Sequence, residues 1–262
     1  MIKVMTFNVR LDVDKGANDF ELRRYRIAEL INVEKPDVIG FQEATDNMRR
    51  TFSEMLEGYC VLGCGRKKDY SGESAAIAYR KDKFELVALE NFWLSATPSL
   101  PGSRYGGDQS SCPRITTAAL LSEKHSASPF WFINTHLDHV GSNARLLGSV
   151  QLMQYISEKC EPCILTGDFN AGPAAKEIRV IVDNDQLSLV DCTEKIAGTF
   201  HDFGKMAENM AKIDYIFTNL PCDISKTYVC ADDAPNGTYY SDHLAVCAYI
   251  ENCENCDNCE ER

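Results

Sequence analysis

No apolar run in this chain approaches the roughly 18 residues needed to cross a bilayer. No basic region leads into an apolar segment and a cleavage site: the N-terminus goes straight into Ile2-Lys3-Val4-Met5-Thr6-Phe7. A membrane span and a secretory leader are not expected, and a cytoplasmic protein is. Basic charge is also scarce. Among 262 residues, 27 Lys and Arg stand against 39 acids, a formal net charge of −12. Residues 251–262 hold five acids and one Arg, so −8 stays with the body. A protein that follows a long nucleic-acid backbone presents a basic face, and this balance disfavours tight binding of duplex DNA. Low-complexity linkers and internal repeats are missing before residue 250. That favours one continuous unit over 1–250 followed by an acidic, Cys-rich tail over 251–262.

Cysteine is abundant, with twelve in the chain. Without a leader, a disulfide framework is not expected, because the cytosol keeps thiols reduced. Cys60, Cys112, Cys192, Cys230 and Cys247 read as small hydrophobes. Cys160-Glu161-Pro162-Cys163 has CxxC spacing but sits before a strand rather than in a thioredoxin-like context. Cys253, Cys256 and Cys259 in the tail have spacing that suits Zn²⁺ or a cluster but supply only three sulfurs. They define the non-enzymatic alternative, a metal- or redox-sensing protein.

Hydrophobic residues at 44% and charged residues at 25% are ordinary for a globular chain. Strands are expected at 2–9, 37–42, 75–80, 84–90, 115–121, 130–136, 163–167, 213–218, 226–230 and 244–250, each rich in branched, aromatic or small apolar residues. Two helices stand out. The first opens on an Asn18 to Glu21 capping box, carries Ile27, Leu30 and Ile31 on one face and stops before Pro36. The second runs from about Ala144 to Lys159 with Leu146, Val150 and Met153 on one face. So many strands for so few helices fit an α+β fold with two sheets packed on each other and helices outside.

Polar residues recur where apolar runs end: Asn8, Glu43, His136 and Asp168 each follow such a run. In Gly167-Asp168-Phe169-Asn170, positions i and i+2 of an extended chain face one side, so Asp168 and Asn170 share a space from which Phe169 turns away. In Tyr240-Ser241-Asp242-His243, the imidazole suits proton transfer near neutrality. Asp214, inside the apolar stretch Ile213-Asp214-Tyr215-Ile216-Phe217, needs a partner if it is buried and is suited to orienting His243.

These pieces, in this order, resemble the endonuclease/exonuclease/phosphatase superfamily of metal-dependent phosphoesterases, in a bacterial-type form. The resemblance spans residues 2 to 250. It rests on Thr6-Phe7-Asn8-Val9, Gln42-Glu43, Gly72-Glu73-Ser74-Ala75-Ala76, Pro113-Arg114, Asn134-Thr135-His136-Leu137, Gly167-Asp168-Phe169-Asn170, Lys212-Ile213-Asp214-Tyr215 and Ser241-Asp242-His243. It implies a four-layer α-β-β-α sandwich of two mixed sheets flanked by helices, with the site at one edge of the paired sheets. It also implies roles. Glu43 ligates Mg²⁺ or Mn²⁺, Asn8 lies close to the ion, and Asp242 binds it or a second one. Asp168 orients or deprotonates the attacking water, helped by Asn170. His243, held by Asp214, contacts the phosphate or shares the proton transfer. His136, steadied by Glu73, stabilises phosphoryl charge or protonates the leaving group. Arg114 and Arg10 add positive contacts. Arg10 stands where DNA-repair members carry an acid, which puts a repair role in doubt.

The chemistry needs such a mixture, because phosphate esters repel anionic nucleophiles and a hard cation with Arg and His donors offsets the growing charge. A rival reading is a dinuclear zinc hydrolase built on His136, Asp138 and His139. It lacks the first His of its signature, where Asn134 stands, and would need His125, His201 or His243. Otherwise Asp138 and His139 line the pocket or cap the next helix, and His201, in Gly198-Thr199-Phe200-His201-Asp202-Phe203, either borders substrate or is exposed. The expected partner is a small or single-stranded phosphate ester rather than duplex DNA, with no membrane and no obligate protein partner. Scattered Arg66, Lys67, Lys68 and Arg104 are the residues that folding could gather into a basic rim.

Overall fold

Alternation along the strands sets the architecture of the computed structural model, which describes residues 1–124 and 128–252. His125 and the cysteines at 253, 256 and 259 lie outside those residues. In chain order the elements are β1 (Ile2–Asn8), α1 (Phe20–Glu34), β2 (Val38–Ala44), α2 (Asp46–Met55), β3 (Tyr59–Leu62), β4 (Ser74–Arg80), β5 (Phe84–Trp93), β6 (Ile115–Glu123), β7 (Phe130–His136), α3 (Ser142–Ser157), β8 (Cys163–Asp168), α4 (Lys176–Val182), β9 (Val190–Asp191), β10 (Asp214–Thr218), β11 (Tyr228–Val229) and β12 (Val246–Ile250). They form two six-stranded sheets, in the orders β11-β12-β1-β2-β4-β3 and β5-β6-β7-β8-β10-β9.

Each sheet has one parallel pair, β1 with β2 and β7 with β8, and all its other pairs are antiparallel. A parallel pair needs a crossover, and α1 and α3 supply the two. The expected four-layer sandwich of mixed sheets is therefore what the chain adopts. Although the sequence shows no repeat, the two sheets are built on the same plan.

Alternate residues of one strand feed different cores. On β1, Met5 and Phe7 join Ile27, Ile31 and Phe52 under α1 and α2. On β7 and β8, Trp131, Ile133 and Leu165 join Leu152, Ile156 and Ile178 under α3 and α4. The opposite faces, with Ile2, Val4, Val38, Phe130, Phe132, Ile164 and Ile216, meet between the sheets. Along this inner face the side chains change from apolar to polar towards one edge: Ile2-Val4-Thr6-Asn8 on β1, Phe130-Phe132-Asn134-His136 on β7, Ile164-Thr166-Asp168 on β8.

A hydrogen-bonded seam joins the sheets where that change begins. Asn134 Nδ2 donates to the carbonyls of Phe41 and Ala76, both at 2.8 Å. Its Oδ1 accepts from Gln42 Nε2 at 2.7 Å and Thr166 Oγ1 at 3.1 Å. Only glycine fits at position 40, because an added Cβ would lie 2.3 Å from Thr166 Oγ1 and 2.6 Å from Asn134 Oδ1.

Several local expectations shift. Asp19, not Asn18, caps α1 by accepting from Glu21 N–H at 3.1 Å, since Asn18 belongs to a preceding 3-10 turn. The helix still ends before Pro36, at Lys35 in the left-handed region. The buried face of α3 runs through Ala144, Gly148, Leu152 and Ile156, and Val150 is exposed. Gly148 explains the rotation: it lets the helix settle on Leu137 and Leu94, which would lie 3.2 and 3.3 Å from an added Cβ. α2, α4, β3 and β9 were not expected. α2 carries its own start signal, Thr45 Oγ1 accepting from Met48 N–H.

Candidate active site

The four residues expected at strand ends are at the C-terminal edge of the two parallel pairs. Asn8 ends β1, Glu43 lies near the end of β2, His136 ends β7 and Asp168 ends β8. Parallel strands leave a crevice beyond their carboxyl ends, the usual place for a site in such sheets. Strand register completes the set: His136 lies opposite Asp168, and Asp168 lies opposite Asp214 at the start of β10. Asp242 and His243 approach from the other sheet on the segment before β12.

The backbone bends where side chains must be re-aimed. A register shift between Phe41 and Ala44 leaves Glu43 at φ 63°, and Arg10 and Asn170 stand at φ 50° and 49°. Left-handed residues other than glycine cost energy and concentrate at functional sites. The bulge turns Glu43 to accept from Asn8 Nδ2 at 3.2 Å and from Leu11 N–H at 3.0 Å.

Asp168 is the hub. Its Oδ2 accepts from Asn8 Nδ2 at 3.0 Å and lies 3.5 Å from His136 Nε2 and 3.8 Å from His243 Nε2. Its Oδ1 accepts from Asn170 N–H at 2.9 Å. Burial, then the nearby Asp214 charge, push its pKa up to about 7 despite these donors. His243 Nδ1 donates to Asp214 Oδ2 at 2.8 Å. Burial alone would lower His243, but the Asp214 and Asp168 carboxylates overcome it and hold the imidazole up at about 10. His243 is thus a cation between two acids, with Phe200 packed on its ring at 4.9 Å.

His136 differs. Burial, with the Arg114 and Arg66 charges nearby, holds it well below its ordinary value, so it is neutral at pH 7. Asn170 Nδ2 donates to the Leu137 carbonyl and to His136 Nε2, both at 3.1 Å, which puts the ring proton on Nδ1. The expected support from Glu73 is indirect. Glu73 pairs with Arg66, and His136 bonds Asn170 instead. Glu43, Glu73 and His136 still converge, each offering a ligand atom within 4.8 Å of the others. Arg114 is buried beside them, with Nη2 2.7 Å from His139 Nδ1, Nε 3.4 Å from Asp138 and Nη1 without a hydrogen-bond partner among the described residues.

The zinc reading does not survive. Asp138 spends its oxygens on Ser110, Val140, Gly141 and Arg114, which bury it as a loop anchor. The exposed His139 engages Arg114 through Nδ1 and is not among the groups that converge with His136. His201 is buried, not exposed: its Nδ1 accepts from Gly204 N–H at 2.9 Å, and its backbone N–H donates to the Asp242 carbonyl. Lys68 meets Gly102, so the loops of Arg66–Lys68 and Arg104 adjoin on the Arg114 side.

Arg23 is the residue that sequence reasoning missed. It is fully buried on α1, and no carboxylate lies within ion-pair distance of it among the described residues. Its guanidinium donates to five backbone carbonyls, those of Val9, Arg10, Leu11, Asn18 and Tyr240. It thereby joins the turn after Asn8 to the segment that carries Asp242 and His243. The signal was its spacing: Phe20, Arg23 and Ile27 fall on one helical face, an arginine among apolar neighbours.

The sequence model of the Endonuclease/Exonuclease/phosphatase family matches residues 5–243. An endonuclease/exonuclease/phosphatase from Bacteroides vulgatus superposes with a TM-score of 0.89 at 30% identity, covering 95% of this chain and 99% of that one. A mannosyl-6-phosphatase from Bacteroides thetaiotaomicron superposes at 0.82 with 29% identity, covering 96% and 100%. An uncharacterized protein of Acanthamoeba polyphaga mimivirus is 28% identical over 255 residues, covering 88% of this chain and 92% of that one.

Proposed function

The chain belongs to the Endonuclease/Exonuclease/phosphatase family, whose members hydrolyse phosphate esters, and from that premise we propose a Mg²⁺- or Mn²⁺-dependent hydrolase of small or single-stranded phosphate esters. The observation that carries this reading is the convergence on one edge of Asp168, His243 and Asp214, with Glu43 and Glu73 beside them. Glu43, Glu73 and the neutral His136, whose ligand atoms lie within 4.8 Å of one another, suit a hard cation with oxygen ligands rather than a Cys/His cage. Glu43 is the expected ligand, with Glu73 nearest to add to it. Asn8 turns its amide nitrogen to Glu43 and Asp168, so as placed it aims both carboxylates. The bound cation supplies positive charge at the phosphoryl oxygens.

The chain's own groups supply the rest. Asp168, when ionised, accepts the proton of the attacking water, while Asn170 N–H and Asn8 fix its orientation. The His243 imidazolium, kept charged by Asp214, faces the same space and donates to a phosphoryl oxygen. Neutral His136 fixes Asn170 and borders the leaving-group side with Arg114. Arg10 adds a positive contact from the Asp242 side. Both clusters of acids leave the edge too negative for many phosphates at once, which favours small or single-stranded substrates. No helix among the described residues is long and apolar enough to cross a membrane.

The test is hydrolysis of a sugar phosphate, a phosphodiester, single-stranded RNA and duplex DNA, with Mg²⁺, in excess EDTA and after add-back. Turnover of one of the first three that stops in EDTA and returns with Mg²⁺ or Mn²⁺ is expected. Full activity in EDTA refutes the cation assignment, and a preference for duplex DNA refutes the substrate assignment.

A further inference from the structure

Arg10 is held at both ends. Its N–H donates to Asn8 Oδ1 at 3.0 Å, and its carbonyl accepts from Arg23 Nη2 at 2.9 Å. Its Nε and Nη2 engage the two oxygens of Asp14 at 2.9 and 3.4 Å. The remaining nitrogen, Nη1, lies 3.6 Å from Asp242 Oδ2. Asp242 is buried, and its other oxygen, Oδ1, lies 3.2 Å from Ser241 Oγ. The Arg10 charge thus stands against Asp242 Oδ2, and Asp242 is absent from the group in which Glu43, Glu73 and His136 converge.

A divalent ion on Asp242 would need direct contact with one of its oxygens, at about 2.0–2.1 Å for Mg²⁺. A guanidinium never loses its charge in a protein, so it repels a dication from the same carboxylate. Asp14 holds its Nε and Nη2, and Asn8 and Arg23 fix its backbone. Resting on the cation reading above, we propose that this site takes one divalent cation, on the Glu43 side, and that Arg10 stands at Asp242 where a second ion would otherwise sit. There it offers Nη1 to a phosphoryl oxygen, the kind of contact for which arginine is suited.

Counting bound Mn²⁺ by electron paramagnetic resonance on the full chain, without substrate, tests this independently of turnover. The wild type is expected to bind one equivalent below about 100 µM, the range of a built oxygen site rather than of scattered surface acids. Arg10→Gln should gain a second equivalent, about tenfold weaker than the first, and Arg10→Gln with Asp242→Asn should lose it again. Arg10→Lys, which keeps the charge, should stay at one. Two equivalents in the wild type overturn the inference and leave the proposed function standing. One equivalent in both wild type and Arg10→Gln overturns the role of Arg10, and none in the wild type overturns the cation reading with it. The wild-type count decides the stoichiometry even if Arg10→Gln unfolds.

Discussion

Replacing Arg23 by Met tests whether one buried guanidinium holds the two halves of the site's rim together. The side chain is fully buried and donates to five carbonyls from three segments. Each bond to a charged donor contributes about 1.5–3 kcal/mol, and each carbonyl left buried without a partner costs about 1–3 kcal/mol. These do not simply add, because burying the cation itself costs several kcal/mol, which Met relieves. That opposition is visible in Arg23, whose pKa burial pulls below its ordinary value. A net loss of about 3–5 kcal/mol is expected, the scale seen when one partner of a buried charged network is removed. At about 2–4 °C per kcal/mol for a chain near this size, the melting temperature should fall by roughly 6–20 °C. Lys at the same place keeps the charge but has three donors in place of a five-donor fork, so it should recover less than half of the loss. Urea unfolding followed by circular dichroism measures both variants. A loss below about 1 kcal/mol for Arg23→Met would show that the carbonyls find other partners and that Arg23 is merely tolerated.

Two further outcomes concern the chemistry. Asp168→Asn and His243→Ala should each lower turnover by about 10²–10⁴ with the fold retained, the scale of a positioned acid–base group; near wild-type turnover in either, on a substrate the wild type hydrolyses, removes it from the mechanism. Burial raises Asp168 to about 7, and with its ionised form as the proposed base, kcat/KM should rise with pH through that value and level off above it. For stability, a raised pKa means that the buried charge opposes folding fully above about pH 7, and the opposition is relieved progressively as pH falls from about 7 to the ordinary carboxylate range near 4. An acid limb centred near 4, the ordinary carboxylate range, would show that Asp168 is not the group being titrated.

What could be read from the sequence follows from how far each signal reaches. Val4-Met5-Thr6-Phe7 and Ile164-Leu165-Thr166 gave strands because their richness in strand-forming residues is a local signal, and the polar residue after each run marked an edge. That the edges coincide depends on β-sheet register, in which His136, Asp168 and Asp214 lie side by side from strands far apart in sequence. Only resemblance to a family supplied that arrangement beforehand. Glu73 was assigned to His136 by the same resemblance, but Arg66, seven residues away along a loop, takes its carboxylate. The orientation of α3 was misjudged because Leu146 and Val150 outweighed Gly148 in a hydrophobic pattern, although close approach rewards the residue with no side chain. Short β3 and β9 have too few residues to show a period at all.

The pairing of β1 with β12 sets a condition on how the molecule becomes active. Ile2 lies against Ile250 and Thr6 against Val246, while residues 84–218 build the whole second sheet in between. Contacts of such sequence separation form slowly, because a long loop must close before they stabilise anything. His243 lies three residues before the start of β12 and stands between Asp168 and Asp214 of the other sheet. A chain made only as far as β10 therefore holds Asn8, Glu43, His136, Asp168 and Asp214 but lacks the imidazole that stands between Asp168 and Asp214. The contacts of His243 with Asp168 and Asp214 therefore depend on the pairing of β12 with β1, the two ends of the chain.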